Sequence, residues 1–239
     1  LTDAFADYVI QENDQIVLVY GDSPVVSVNT NFGAIVIELF EEETPGTVDN
    51  FLNYVNDGDY INTFFHRSAK SGGNDFVIQG GGFSLNDPEP PAEVMSFDRV
   101  ETDPPIDDEP GGGVAGPSNT RGTIAMAKSG PNTVTSQWFI NQGDNSFLDS
   151  PTRGDGGFST FGMVLGDGMD VVDAIGDLPL PDDFGFSIGA PFNDLPLRNF
   201  GGSSITDVRV EHTATINDVF VLDLASGDFD RDGDVDGDD

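Results

Sequence analysis

Cysteine is absent from the 239 residues, which excludes disulfides, thiol nucleophiles and cysteine-based zinc sites. Histidine is nearly absent. His66 and His212 are too few and too far apart in sequence to suggest a His-rich metal site. Basic residues are scarce as well, nine Lys and Arg against 43 Asp and Glu, giving a formal net charge of −34. Nucleic-acid binding rests on cations that neutralise phosphates, so this field argues against DNA and RNA as partners. No stretch approaches the run of about eighteen apolar residues that marks a membrane helix, so no span is expected.

What is present points to a folded chain. Hydrophobic residues make up 37%, including 19 Phe, enough for a sizeable core despite the charge. The length fits one domain of generous size or one domain with trimmings, and is too short for three. A large acidic excess suits a protein that stays soluble in salty water or works outside a cell, and it bears on solubility and partners without setting the fold.

Periodicity supplies the elements. Gln15–Tyr20 reads as a strand. Val25–Val28 and Ala34–Phe40 are β-branched runs separated by Asn29-Thr30-Asn31-Phe32-Gly33, which predicts a hairpin. A helix follows: Thr44 can cap, Pro45 suits the first turn, Val48, Phe51, Leu52 and Val55 share a face, and Gly58 stops it. Further strands are expected at Thr63–Arg67, Phe76–Gln79, Thr123–Ala127, Gln137–Ile140 and Phe161–Val164. A second helix is expected at Met169–Ile175 and closing strands at Ile205–Glu211 and Asp218–Leu224. Many short strands with two helices argue for a mainly β barrel or sandwich with helices at its ends. Residues 84–119 and 178–203, rich in Pro, Asp and Gly, read as long loop insertions.

Several motifs in order carry a resemblance. Phe65-His66-Arg67, Phe76-Val77-Ile78-Gln79-Gly80-Gly81, Arg121-Gly122-Thr123-Ile124-Ala125-Met126-Ala127, Gly130-Pro131-Asn132-Thr133 with Ser136-Gln137-Trp138-Phe139-Ile140, Phe147-Leu148-Asp149 and Phe161-Gly162 resemble the cyclophilins, with wording closest to the bacterial branch. The resemblance covers roughly residues 24–176. It implies a closed eight-stranded antiparallel barrel capped by two α-helices, and peptidyl-prolyl cis–trans isomerase activity with no cofactor for catalysis. Proline-containing polypeptides would be the partners.

The resemblance also implies site residues. Arg67 would be the catalytic donor, with Gln79 and Gln137 orienting it or the substrate carbonyls. Phe76, Val77, Met126, Phe139 and Leu148 would line a proline pocket, and Ala127 and the backbone of Lys128 would contact the neighbouring peptide. Phe147 stands where eukaryotic members commonly have Trp, which implies weak cyclosporin binding. Phe158 stands about where many members have His, and Val77 where Met is usual. His66 reads as a structural histidine. Trp138 alternates with Phe139 along one strand, so Trp138 is expected in the core and Phe139 in the pocket.

At the end, Asp228, Asp230, Asp232, Asp234 and Asp239, with Gly233 at the sixth position, follow the spacing of a calcium loop. They resemble the loop of dockerin and other EF-hand-like modules, truncated before its second helix. The expected organisation is an N-terminal extension or remnant of a preceding region at 1–23, an isomerase domain at 24–224 and an acidic tail at 225–239. Together these features predict a secreted, periplasmic or cell-surface bacterial isomerase, with surface or matrix attachment through the tail. The alternatives are a non-catalytic proline-peptide binding module and, more remotely, a calcium-dependent adhesion fragment.

Overall fold

The computed structural model describes residues 8–12, 15–19, 23–86, 96–109 and 116–222. In chain order the strands are β1 (Tyr8–Glu12), β2 (Gln15–Val19), β3 (Val25–Thr30), β4 (Gly33–Leu39), β5 (Arg67–Ser71), β6 (Asn74–Gly80), β7 (Phe83–Asn86), β8 (Ser96–Arg99), β9 (Thr123–Met126), β10 (Trp138–Asn141), β11 (Thr160–Val164) and β12 (Ile216–Val221). Two α-helices join them, α1 (Pro45–Asp57) and α2 (Gly168–Gly176).

Eight strands form one antiparallel sheet in the order β12-β3-β4-β11-β9-β10-β6-β5. The sheet is curled and forms a half-barrel, with β12 and β5 as the ends of the strand order. The segment leading into β5 meets the start of β12 and the residues before it: the Phe65 N–H donates to the Ala214 carbonyl at 2.9 Å, and the Ile216 N–H to that of Thr63 at 2.8 Å. The strand expected over Thr63–Arg67 is not continuous. Thr63 and Phe64 make single bridges, to Ser84 and Thr215, and the ladder starts at Arg67.

Alternation places the core. Ile35, Ile37 and Leu39 of β4, Ile78 of β6, Ile124 of β9 and Trp138 and Ile140 of β10 are fully buried on the inner side, where α1 adds Val48, Phe51 and Tyr54. Trp138 packs edge-on against Phe65 at 5.5 Å and Tyr60 at 6.2 Å between centroids. α1 ends as the sequence predicts, at Gly58 in the left-handed conformation. Its start differs. The Thr44 hydroxyl turns back to the Phe40 carbonyl, and the Glu109 carboxylate takes the Gly46 and Thr47 amides at 2.8 Å each. An anion there also complements the positive end of the helix dipole.

The two stretches read as loops hold structure. Within 84–119, β7 and β8 form a hairpin. Within 178–203, Phe192, Leu195, Leu197 and Phe200 join Phe64, Phe83 and Val208 in a second apolar cluster. The strand expected at Ile205–Glu211 is two short 3-10 turns, Ile205–Asp207 and Val210–His212. Local side chains compete for the backbone there: Asp207 accepts the Ser203 and Ser204 amides, and His212 Nδ1 accepts the Arg209 amide at 3.0 Å.

Candidate active site

Register across three strands builds the outer-face site. Arg67 of β5 pairs with Gln79 of β6, which pairs with Phe139 of β10, and Phe139 pairs with Ala125 of β9. Opposed residues share a face, so a guanidinium, an amide and an aromatic ring line up on the side away from Trp138. Ala69, Val77, Ala125, Phe139 and Leu148 are buried there as a third apolar cluster, with Phe76, Ala127 and Phe158 packed against it.

Above that cluster opens a pocket of about 230 Å³. Phe76, Val77, Phe139, Leu148 and Phe158 form its apolar wall; Arg67, Gln79, Ala127, Lys128 and Arg153 border it. A second, polar cleft of about 260 Å³ adjoins it across Gln79, Ala127 and Lys128, and adds Ser129, Thr133, Thr135 and Gln137. The Gly80-Gly81-Gly82 run makes room for this edge. A Cβ on Gly82 would lie 2.8 Å from Gln137 Cδ, and Gly81, with φ +71°, lies where its Cβ would be 2.6 Å from the Ser136 carbonyl.

Arg67 is held at the pocket mouth by two acceptors. Nε donates to Asp194 Oδ2 and Nη1 to Gln79 Oε1, each at 3.3 Å. Gln79 Nε2 in turn donates to Gln137 Oε1 at 2.9 Å. Burial, then the neighbouring Arg67 charge, pulls the His66 pKa down to about 4. His66 is therefore neutral near pH 7, as a structural residue behind the arginine.

The comparisons with known proteins agree in one direction. The family model for cyclophilin type peptidyl-prolyl cis-trans isomerase/CLD matches residues 25–189. The chain is 43% identical over 156 residues to the peptidyl-prolyl cis-trans isomerase of Acinetobacter baylyi, covering 65% of this chain and 73% of that protein. It is 43% identical over 154 residues to peptidyl-prolyl cis-trans isomerase B of Escherichia coli, covering 63% and 83%. In fold it is similar to a cyclophilin type isomerase of Cryptosporidium parvum, with a TM-score of 0.53 at 23% identity, covering 83% of this chain and 97% of that one. The chain belongs to the cyclophilin family. Its activity is peptidyl-prolyl cis–trans isomerisation, and the non-catalytic alternative is not favoured.

Most of the residues predicted for the cyclophilin site converge, with two displaced. Met126 pairs with Trp138 in register and so faces inward. It is 2% exposed, packs in the main core, and borders a separate cavity of about 20 Å³ with Asp108 and Val134. The same alternation that put Trp138 in the core would have excluded Met126 from the pocket. Phe147 stands at the rim, 52% exposed, stacked on Phe76 at 5.8 Å between centroids.

One expected residue takes a different part, and one participant was not foreseen. Lys128 was expected through its backbone, yet its side chain is buried behind the pocket. Its Nζ lies 2.7 Å from Asp108 Oδ2 and 5.4 Å from the Phe158 ring centroid. Arg153 borders the pocket from the 150–157 loop, its guanidinium 5.8 Å from both the Phe147 and Phe158 centroids and in a two-point pair with Asp155. No local pattern marks the Lys128 partnership, because Asp108 is distant in sequence, whereas Arg153 pairs with Asp155 two residues on. The calcium-loop aspartates Asp228, Asp230, Asp232, Asp234 and Asp239 lie outside the described residues. Among the described residues, no group of three or more His, Asp or Glu could hold a metal ion.

Proposed function

We propose that this cyclophilin isomerises X–Pro bonds in extended polypeptide segments, with Arg67 as the donor that stabilises the twisted amide. Rotation about the bond faces a barrier of about 18–20 kcal/mol, because resonance stiffens C–N. Twisting ends that resonance and leaves a lone pair on the prolyl nitrogen. A fixed donor aimed at that atom favours the twisted state over either planar one. No bond is made or broken and no proton need leave the protein, so the residues have only to grip the ring, orient the carbonyls and present the guanidinium. Phe76, Val77, Phe139, Leu148 and Phe158 supply the apolar grip on the proline ring. Gln79 and Gln137 supply amide groups for the flanking peptide, and the polar cleft beside them suits residues adjacent to the proline.

The single observation that carries this reading is the Arg67 guanidinium fastened by two acceptors at the mouth of an apolar pocket. Among the described residues its Nη2 donates to no protein group, which leaves donors for substrate. The test is a protease-coupled isomerisation assay on a short X–Pro peptide. Arg67→Ala is expected to lower kcat/KM by roughly a hundredfold or more, the scale of losing one transition-state donor. Equal rates for the two proteins would overturn the assignment, and no acceleration by the parent would favour a binding module.

The acidic tail supports a further part of this reading. Carboxylates at alternate positions around Gly233 suit a hard cation with six to eight oxygen ligands, so the tail is proposed to take calcium through Asp228, Asp230, Asp232, Asp234 and Asp239 and to serve attachment of a secreted or surface protein. Calcium titration followed by NMR of residues 228–239 should show ordering; a flat response at millimolar metal would overturn it.

A further inference from the structure

We propose that Asp194 is a positioning residue for the isomerisation, a clamp outside the family's matched region that fixes the orientation of the Arg67 guanidinium. The inference rests on the reading of Arg67 as the donor. Asp194 lies beyond residue 189, where the family match ends, in the stretch that the sequence presents as a Pro- and Gly-rich insertion. That stretch is anchored on both sides of the aspartate. Phe192 and Leu195 are buried against Phe64 and Phe83, and Leu197 bridges to Thr213. The backbone is fastened too: the Ser68 N–H, next to Arg67 on β5, donates to the Asp194 carbonyl at 2.7 Å. The carboxylate is thus delivered to the arginine by a packed segment, and Oδ2 accepts from Nε at 3.3 Å.

A guanidinium is a planar fork with five N–H donors. Asp194 occupies the Nε edge and Gln79 occupies Nη1, two points that fix the plane of the fork. The Nη2 edge is left toward the substrate. With Asp194 removed, a single contact to Gln79 remains and the fork can pivot on it as the aliphatic side-chain torsions change. The pair is half-exposed, at 38% for Arg67 and 42% for Asp194, so it adds little to stability. Its consequence is geometric, and small misplacements of a catalytic group cost disproportionately in rate.

The experiment is a double-mutant cycle on the full chain, with kcat and KM measured for parent, Asp194→Ala, Arg67→Ala and the double variant on an X–Pro peptide, alongside Tm. Asp194→Ala is expected to lower kcat about tenfold, with KM changed less than about twofold. Asp194→Asn keeps an acceptor oxygen and should recover most of the rate. In the Arg67→Ala background, Asp194→Ala should do nothing further. An unchanged kcat for Asp194→Ala overturns the clamp while leaving Arg67 as donor. So does an equal fold-loss in both backgrounds, which marks a structural role. An unchanged rate for Arg67→Ala alone overturns the donor assignment and the clamp together.

Discussion

The Lys128 ammonium and the Asp108 carboxylate meet at 2.7 Å with their side chains only 3% and 6% exposed, so one border of the apolar pocket rests on a buried ion pair. Asp108 comes from the long 84–119 stretch and is fixed by Asn132, whose N–H donates to Oδ2 at 3.1 Å and whose Oδ1 accepts the Asp108 N–H at 2.8 Å. The insertion is therefore a strut behind the site. Asp108→Ala leaves a buried ammonium without a partner, and the expected loss is about 3–5 kcal/mol in urea denaturation. Replacing the pair together, Lys128→Met with Asp108→Leu, should recover most of that loss. A loss near zero for the single variant would show that the ammonium reaches water.

Glu109 continues the same strut. Its carboxylate accepts from Gly46 N–H, Thr47 N–H and the Thr47 hydroxyl at the start of α1. Glu109→Ala should cost about 1–2 kcal/mol, the scale of losing a helix cap, measured as a shift in urea midpoint with an unchanged m-value. No shift would mean that water caps the helix equally well.

His66 gives the fold a pH dependence of definite sign. Its pKa is pulled down to about 4 from the usual 6.5, so below 6.5 the unfolded chain takes up the proton first. The stability it contributes is complete above pH 6.5 and is lost as pH falls toward 4, by roughly 3 kcal/mol in all. The 43 carboxylates titrate over part of the same range, so the measurement compares urea stability at pH 7, 5.5 and 4.5 between the parent and His66→Asn. The parent should lose more across that window. Parallel curves would show that His66 titrates normally.

Met126 and Phe139 lie on opposite faces of the sheet and should separate stability from binding. Met126→Leu conserves core volume, so kcat/KM should stay within about twofold. Phe139→Ala removes a wall of the 230 Å³ pocket and should raise KM by about tenfold or more, the scale of a lost apolar contact. A reversal of the two effects would return Met126 to the pocket.

Much of this was legible in the sequence, for reasons that are local. The β3–β4 hairpin, the apolar face of α1 and its Gly58 stop all follow from short-range periodicity and turn chemistry, and the motif order pointed to Arg67, Gln79 and Phe139. Met126 was misassigned although the signal was present, since it opposes Trp138 and must share its face. Lys128 with Asp108, Glu109 on α1, and Asp194 on Arg67 were beyond reach. Each joins residues far apart in the chain, and a carboxylate among 43 carries no mark of which cation or helix end it will meet. The Ile205–Glu211 stretch alternates like a strand, yet Asp207 and His212 capture its amides locally.

The most direct test of the central claim is NMR exchange spectroscopy on a short X–Pro peptide, which reads cis–trans interconversion without a coupling protease. The parent at catalytic concentration should give exchange cross-peaks, and Arg67→Lys, which keeps the charge but loses the planar fork, should reduce the exchange rate severely while the peptide still binds. An Arg67→Lys protein that exchanges the peptide as fast as the parent would contradict the account.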